Sequence, residues 1–216
     1  MSLKRRVAWL VIYAVAMAYV ESAVVVYLRA LYYPQGFAFP LVAIPPGMLA
    51  TEMGREIATL LMLLGVAMLA GGDRWDRLLA FCLSFGVWDL SYYGWLWVFL
   101  RWPPSLLTWD VLFLIPVPWI GPVLAPVLVS VLLVTAALLL MRKRARGEPV
   151  FFPALLRIVA FAGAALVLAS FTLDFQSVLR QMEPPPFRWG LFGAGIALAV
   201  AALVPAVRRK TSVSGG

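Results

Sequence analysis

The sequence predicts an all-α, polytopic integral membrane protein: a bundle of six transmembrane helices with both termini in the cytoplasm. Three observations carry that expectation. Of the 216 residues 63% are hydrophobic and only 13% are charged, where a soluble domain carries roughly 25% charged residues. Six apolar stretches are each long enough to span a hydrocarbon core of roughly 30 Å, which takes about 20 helical residues. The cations also gather beside those stretches in a pattern that sets their direction.

The first stretch, 7–28, follows Lys4, Arg5 and Arg6. Its apolar run is too long for a cleaved signal peptide and contains Glu21, so it reads as a retained signal anchor. The second, 48–70, is joined to the third, 78–100, by a short charged link holding Arg74 and Arg77. The fourth, 121–141, ends at Arg142, Lys143, Arg144 and Arg146, and the fifth covers 154–172. The sixth, 189–207, runs into Arg208, Arg209 and Lys210. With six crossings these twelve cations, of 18 Lys and Arg in all, fall on one side, which the positive-inside rule makes cytoplasmic. Residues 1–207 then form one transmembrane domain, and 208–216 a short tail, basic and then flexible. The expected location is a cell membrane of the bacterial inner-membrane type.

The outer connections are long, aromatic and rich in proline. Segment 32–47 cannot be helical through its prolines. In 101–122, Ser105 is placed to cap a short interfacial helix running to Phe113, with Trp109 at headgroup depth. Backbone of this kind needs protein or water to satisfy its amides, so these loops are expected to fold over the bundle as a cover, the alternative being an interfacial aromatic belt. Asp110, Asp174, Arg180, Glu183 and Arg188 lie in these connections and read as solvated surface charge. Arg29 and Arg101 are placed to meet lipid headgroups.

Composition excludes much chemistry. The chain has no histidine, so histidine-ligated haem, the usual zinc hydrolases and Ser-His or Cys-His nucleophiles are not available to it. No cofactor and no metal is expected. The single cysteine, Cys82, excludes an internal disulfide and reads as a packing residue. A net charge of +8 would suggest nucleic acid in a soluble protein, but here the cations form a collar facing anionic lipid, and nucleic-acid binding is not expected. A Ser-Lys dyad lacks a lysine at depth. An intramembrane aspartyl pair lacks a second aspartate, because only Asp89 is well inside unless the segment carrying Asp110 is re-entrant. No phosphate loop or dinucleotide fingerprint is present.

Ionisable groups inside the membrane are expensive and point to function. Glu21 lies past the middle of the first helix, Glu52, Arg55 and Glu56 in the outer third of the second, and Asp89 near the middle of the third. Glu52 and Glu56 share a face at i,i+4, with Arg55 at i+3 from Glu52. One guanidinium for two adjacent carboxylates leaves an acid uncompensated. Tyr92 and Tyr93 stand one turn outward of Asp89. The seven residues Glu21, Glu52, Arg55, Glu56, Asp89, Tyr92 and Tyr93 thus form a candidate ligand- or proton-binding site, with Asp89 and Glu56 the candidates for any catalysis. The bland counterpart is an ion-pair network that fixes helix register, with Arg55 bridging neighbouring acids.

The leading functional expectation is a cavity that binds an amphipathic or hydrophobic ligand. It would serve a proton-linked transporter or a ligand- or quinone-handling subunit of a membrane complex. The alternatives are an outer-leaflet lipid-modifying enzyme using carboxylate acid/base catalysis, or a purely structural subunit. Expected partners are membrane lipids and either a membrane-protein partner or a second copy of the chain. Small-residue faces of the last two helices, where Gly193, Ala197 and Ala201 recur every four residues and Ala160, Gly163 and Ala164 are placed to oppose them, imply close packing inside one chain or across a dimer.

Overall fold

The structure, a computed structural model, describes residues 2–208. The predicted tail therefore lies outside the described residues beyond Arg208. The chain is mostly helical: α1 Leu3–Tyr32, α2 Pro46–Ala70, α3 Arg74–Leu100, α4 Leu124–Ala145, α5 Ala154–Thr172, the short α6 Phe175–Leu179, and α7 Trp189–Arg208. Between α3 and α4 stand two strands, β1 Trp109–Phe113 and β2 Trp119–Pro122. Five stretches are long and apolar enough to cross a membrane: α1, α2, α4, Ala154–Leu179 and α7. The 27-residue α3 matches them in length, but Asp89 and its Trp and Tyr residues make it less apolar. The surface is that of a chain solvated by hydrocarbon: Leu69 is 90% and Phe161 76% exposed, scattered among other bare apolar side chains that would drive aggregation in water.

The hairpin corrects two expectations. The all-α class gives way locally to an antiparallel pair, with Asp110 opposite Gly121 and Val111 opposite Ile120, and the short helix from Ser105 to Phe113 does not form. Ser105 instead closes a turn, accepting the Leu107 N–H on Oγ at 3.2 Å. Trp109, Val111 and Phe113 favour extended backbone, and the prolines at 116 and 118 deny helix to the turn between the strands. The strands also pair their own backbone amides, which an irregular loop would leave to other partners.

The charged segments meet at one end of the bundle. Asp76, in the first turn of α3, accepts Arg6 Nη1 from α1 and Arg144 Nε from α4, each at 2.9 Å, and Asp73, which caps α3, also pairs with Arg144. Lys143 donates to the α7 carbonyls of Ala206 at 2.9 Å and Val207 at 3.2 Å, a cation seated on the negative end of a helix. Below this collar a dry core forms from Leu10, Leu79, Leu83, Leu140 and Met141, with Cys82 packed at its edge.

At the opposite end lie the hairpin and the proline-rich connections. There Phe37 meets Trp102, Phe39 meets Trp109, and Phe187 meets both Trp109 and Phe171 in edge-on or tilted ring contacts.

Helices α5 and α7 pack closely on each other, though on a different face from the one expected. A Cβ on Gly163 would lie 2.8 Å from the Gly195 carbonyl, and one on Gly195 would lie 2.8 Å from that of Gly163, whereas Gly193 has nothing within 4 Å. Gly193, Ala197 and Ala201 are exposed, and Gly195, Ala202 and Ala206 are buried. Both stripes are small residues at helical spacing, so spacing alone does not select the one that faces α5.

Candidate functional site

Helices α1 and α3 meet along polar contacts that set their register. Ser22 Oγ lies 2.7 Å from the Ala18 carbonyl and 3.1 Å from that of Tyr92, and Trp95 Nε1 donates to the Val15 carbonyl at 3.2 Å. On the other side of α3, Gly86 lets α4 approach: a Cβ there would lie 2.8 Å from the Ser130 carbonyl. One turn further along, Ser130 Oγ donates to Asp89 Oδ2 at 2.7 Å. A residue larger than glycine at 86 would push α4 away and withdraw that hydroxyl.

Arg55 of α2 reaches back to α1 and pairs with Glu21, while its Nε donates to Glu52 Oε2 at 2.9 Å. Thr59 Oγ1 donates to the other Glu21 oxygen at 2.7 Å. Arg55 is therefore the bridge that the spacing suggested, joining Glu52 to Glu21. Glu56, one turn on from Glu52, forms no ion pair among the described residues. Its Oε1 and Oε2 accept the Leu114 backbone N–H at 3.0 and 2.8 Å, so the carboxyl holds the hairpin.

The hairpin brings in a residue that sequence reasoning placed elsewhere. Asp110, expected as solvated surface charge, is 2% exposed. Its Oδ1 accepts from Arg29 Nη2 at 3.3 Å and its Oδ2 from Tyr93 Oη at 3.2 Å. Arg29, expected among headgroups, is 8% exposed, with its guanidinium 3.7 Å from the Trp102 ring centroid and 4.4 Å from that of Phe37. Guanidinium is weakly hydrated and stacks on aromatic faces, which is what makes such a position tolerable. Asp110 lies outside the spanning helices. Burial pushes its carboxyl up to about 6, opposed by the Arg29 guanidinium, the Val111 backbone N–H and the Tyr93 hydroxyl. Two short apolar runs flanking a proline-containing turn are the sequence signal for this hairpin. A lone aspartate in such a run signals a buried partner.

Arg101 stays at the rim, exposed, with its guanidinium 4.5 Å from the Trp97 ring centroid. Asp174 and Arg188 pair with each other at 2.8 Å, and Arg180 and Glu183 are exposed.

Seven predicted site residues, Glu21, Glu52, Arg55, Glu56, Asp89, Tyr92 and Tyr93, line one cavity of about 540 Å³, together with Arg29 and Asp110. The rest of its wall is largely apolar, from Val25 and Leu28 of α1 through Met53 of α2 to Leu112 of the hairpin. On the hairpin side it is bounded by Val42 and Ile44 of the α1–α2 connection, by Pro116 and Pro118, and by Leu179 and Gln181. Five carboxyls thus share the space with two guanidiniums, and both guanidiniums are engaged by Glu21, Glu52 and Asp110. Glu56 accepts from the Leu114 backbone N–H and Asp89 from the Ser130 hydroxyl, and neither forms an ion pair among the described residues. Among the described residues no group of three or more acids or cysteines is arranged to hold a metal ion. Comparison with protein-family models, with curated proteins and with solved structures finds no match for the chain.

Proposed function

We propose that the chain crosses a bacterial-type inner membrane six times, with α3 as the sixth span, its basic end in the cytoplasm and its hairpin end outside. In this reading the cavity binds an amphipathic ligand and moves it in a proton-linked way. The six-span topology rests on the collar formed by Arg6, Arg144 and Lys143, since cations concentrate on the cytoplasmic side. Single-cysteine labelling in a Cys82→Ser background tests it: Arg146→Cys is labelled only from the cytoplasm and Leu106→Cys only from outside. The reverse pattern inverts the topology.

The observation that carries the ligand reading is the pairing of apolar walls with two carboxyls, Glu56 and Asp89, that form no ion pair among the described residues. A network serving only to fix register gains nothing from leaving acids without cations in a low-dielectric interior, whereas proton carriage needs such groups. The test begins with the protein extracted into native lipid nanodiscs. Mass spectrometry should find an amphiphile that co-purifies with the wild type and is lost in Val25→Trp, which fills the cavity. Its flux into proteoliposomes should follow an imposed pH gradient, and Glu56→Gln should abolish that dependence. If the wild type retains nothing that Val25→Trp lacks, the cavity is not a ligand site.

The placement of Asp110 in the same cavity as Asp89 favours a second reading, an outer-leaflet lipid-modifying enzyme with carboxyls as acid and base. That reading requires Asp89→Asn to abolish turnover of an added phospholipid while the protein still folds.

A further inference from the structure

The cavity's unmet polar groups define a class of ligand, given the ligand-binding reading above on which this inference rests. An anionic head would need a free guanidinium. Arg55 is held by Glu21 and Glu52, and Arg29 by Asp110 through Nη2 between the rings of Phe37 and Trp102, its buried Nη1 having no hydrogen-bond partner among the described residues. Neither is released without stranding a buried carboxylate. Glu56 and Asp89, by contrast, form no ion pair among the described residues.

A second, separate observation lies on the same wall. Trp88 lines the cavity, is 6% exposed, and its indole Nε1–H has no acceptor among the described residues, although a buried indole ordinarily finds one. Its ring stacks with that of Tyr92, centroids 6.2 Å apart and planes 28° from parallel. The cavity's residues therefore carry five carboxyls against two guanidiniums, aromatic faces that attract cations, and two donors without an acceptor, Trp88 Nε1 and Arg29 Nη1.

We infer that the occupant is an amine-headed amphiphile: an ammonium group between Glu56 and Asp89, an adjoining hydroxyl or carbonyl oxygen toward Trp88 Nε1, and an apolar chain along Val25, Leu28 and Met53. A neutral head leaves both acids without an ion pair, and a carboxylate head adds a sixth anion to a cavity that holds two guanidiniums.

Equilibrium binding to the full-length protein in lipid nanodiscs tests this, with empty nanodiscs as background. The probe is radiolabelled 2-amino-1-dodecanol, and dodecylamine, 1-dodecanol and dodecanoate serve as competitors of equal chain length. The amino alcohol should bind most tightly, dodecylamine somewhat less, and dodecanol and dodecanoate at least tenfold more weakly. Asp89→Asn and Glu56→Gln keep a hydrogen-bond acceptor in place and should each reduce amine affinity tenfold or more while leaving dodecanol unchanged. Trp88→Phe should erase the advantage of the amino alcohol over the plain amine.

If dodecanol or dodecanoate competes as well as the amines in the wild type, the amine class is wrong and the ligand cavity stands. If none of the four binds above empty nanodiscs, the cavity reading falls with it. The wild-type ranking needs no variant to fold.

Discussion

Glu56, on α2, holds the backbone N–H of Leu114 between its two carboxylate oxygens at 3.0 and 2.8 Å. A side chain inside the apolar body of the protein thereby fixes a segment that belongs to the connection between α3 and α4. The same carboxyl lines the cavity, so the position of the hairpin and the polarity of the site depend on one residue.

Replacing Glu56 separates those two roles. Glu56→Gln keeps a carbonyl acceptor for Leu114 and should leave the hairpin docked. Glu56→Ala strands a partly buried N–H, at a cost of about 1–3 kcal/mol. Hydrogen exchange at the Leu114 amide distinguishes them: rapid exchange in the alanine variant, protection close to wild type in the glutamine variant. Equal protection in both would mean that the carboxyl does not hold the hairpin.

Arg29 and Asp110 form the second attachment. Arg29→Ala leaves a carboxylate 2% exposed without its cation, and loss of one partner of a buried pair costs about 3–5 kcal/mol. Adding Asp110→Asn should restore most of the loss, because the remaining neutral group still accepts from Tyr93. Thermal unfolding of the two single variants and the double variant in detergent gives the coupling, and simple additivity would show that the pair is not the attachment.

The α5–α7 contact discriminates between two stripes of small residues. Gly163→Ala places a methyl 2.8 Å from the Gly195 carbonyl, whereas Gly193→Ala meets nothing within 4 Å. The first should destabilise by about 1–3 kcal/mol through overpacking. The second should leave the melting temperature unchanged or raise it slightly, since alanine is the better helix former.

Asp73 makes the basic end sensitive to acid. The Asp76 backbone N–H that its carboxylate accepts, followed by Arg144, holds its carboxyl below the usual range. A group depressed in the folded state stabilises above the normal carboxylate range, and that stabilisation is lost as pH falls through the depressed value. Asp73→Asn keeps the cap without the charge. Its melting temperature should therefore fall less than that of the wild type between pH 6 and pH 3, and parallel curves would remove Asp73 from the acid response.

Membership of the membrane class, the apolar stretches, the clustering of cations and the acids on α1, α2 and α3 were all legible in the sequence. These are local properties: hydropathy over about 20 residues decides what enters a bilayer, and i,i+4 spacing places Glu52 beside Glu56 whatever surrounds them. Only the tertiary structure decided which charges meet. Arg29 engages Asp110, 81 positions away, and Glu56 engages a backbone group 58 positions away. No window of sequence contains either relationship. The rotational phase of α7 was equally hidden, because Gly193 and Gly195 look alike along the chain and differ only in which of them faces Gly163. Length and polarity are written residue by residue, while pairing and facing depend on packing, where a shift of one or two residues turns a helix to another neighbour.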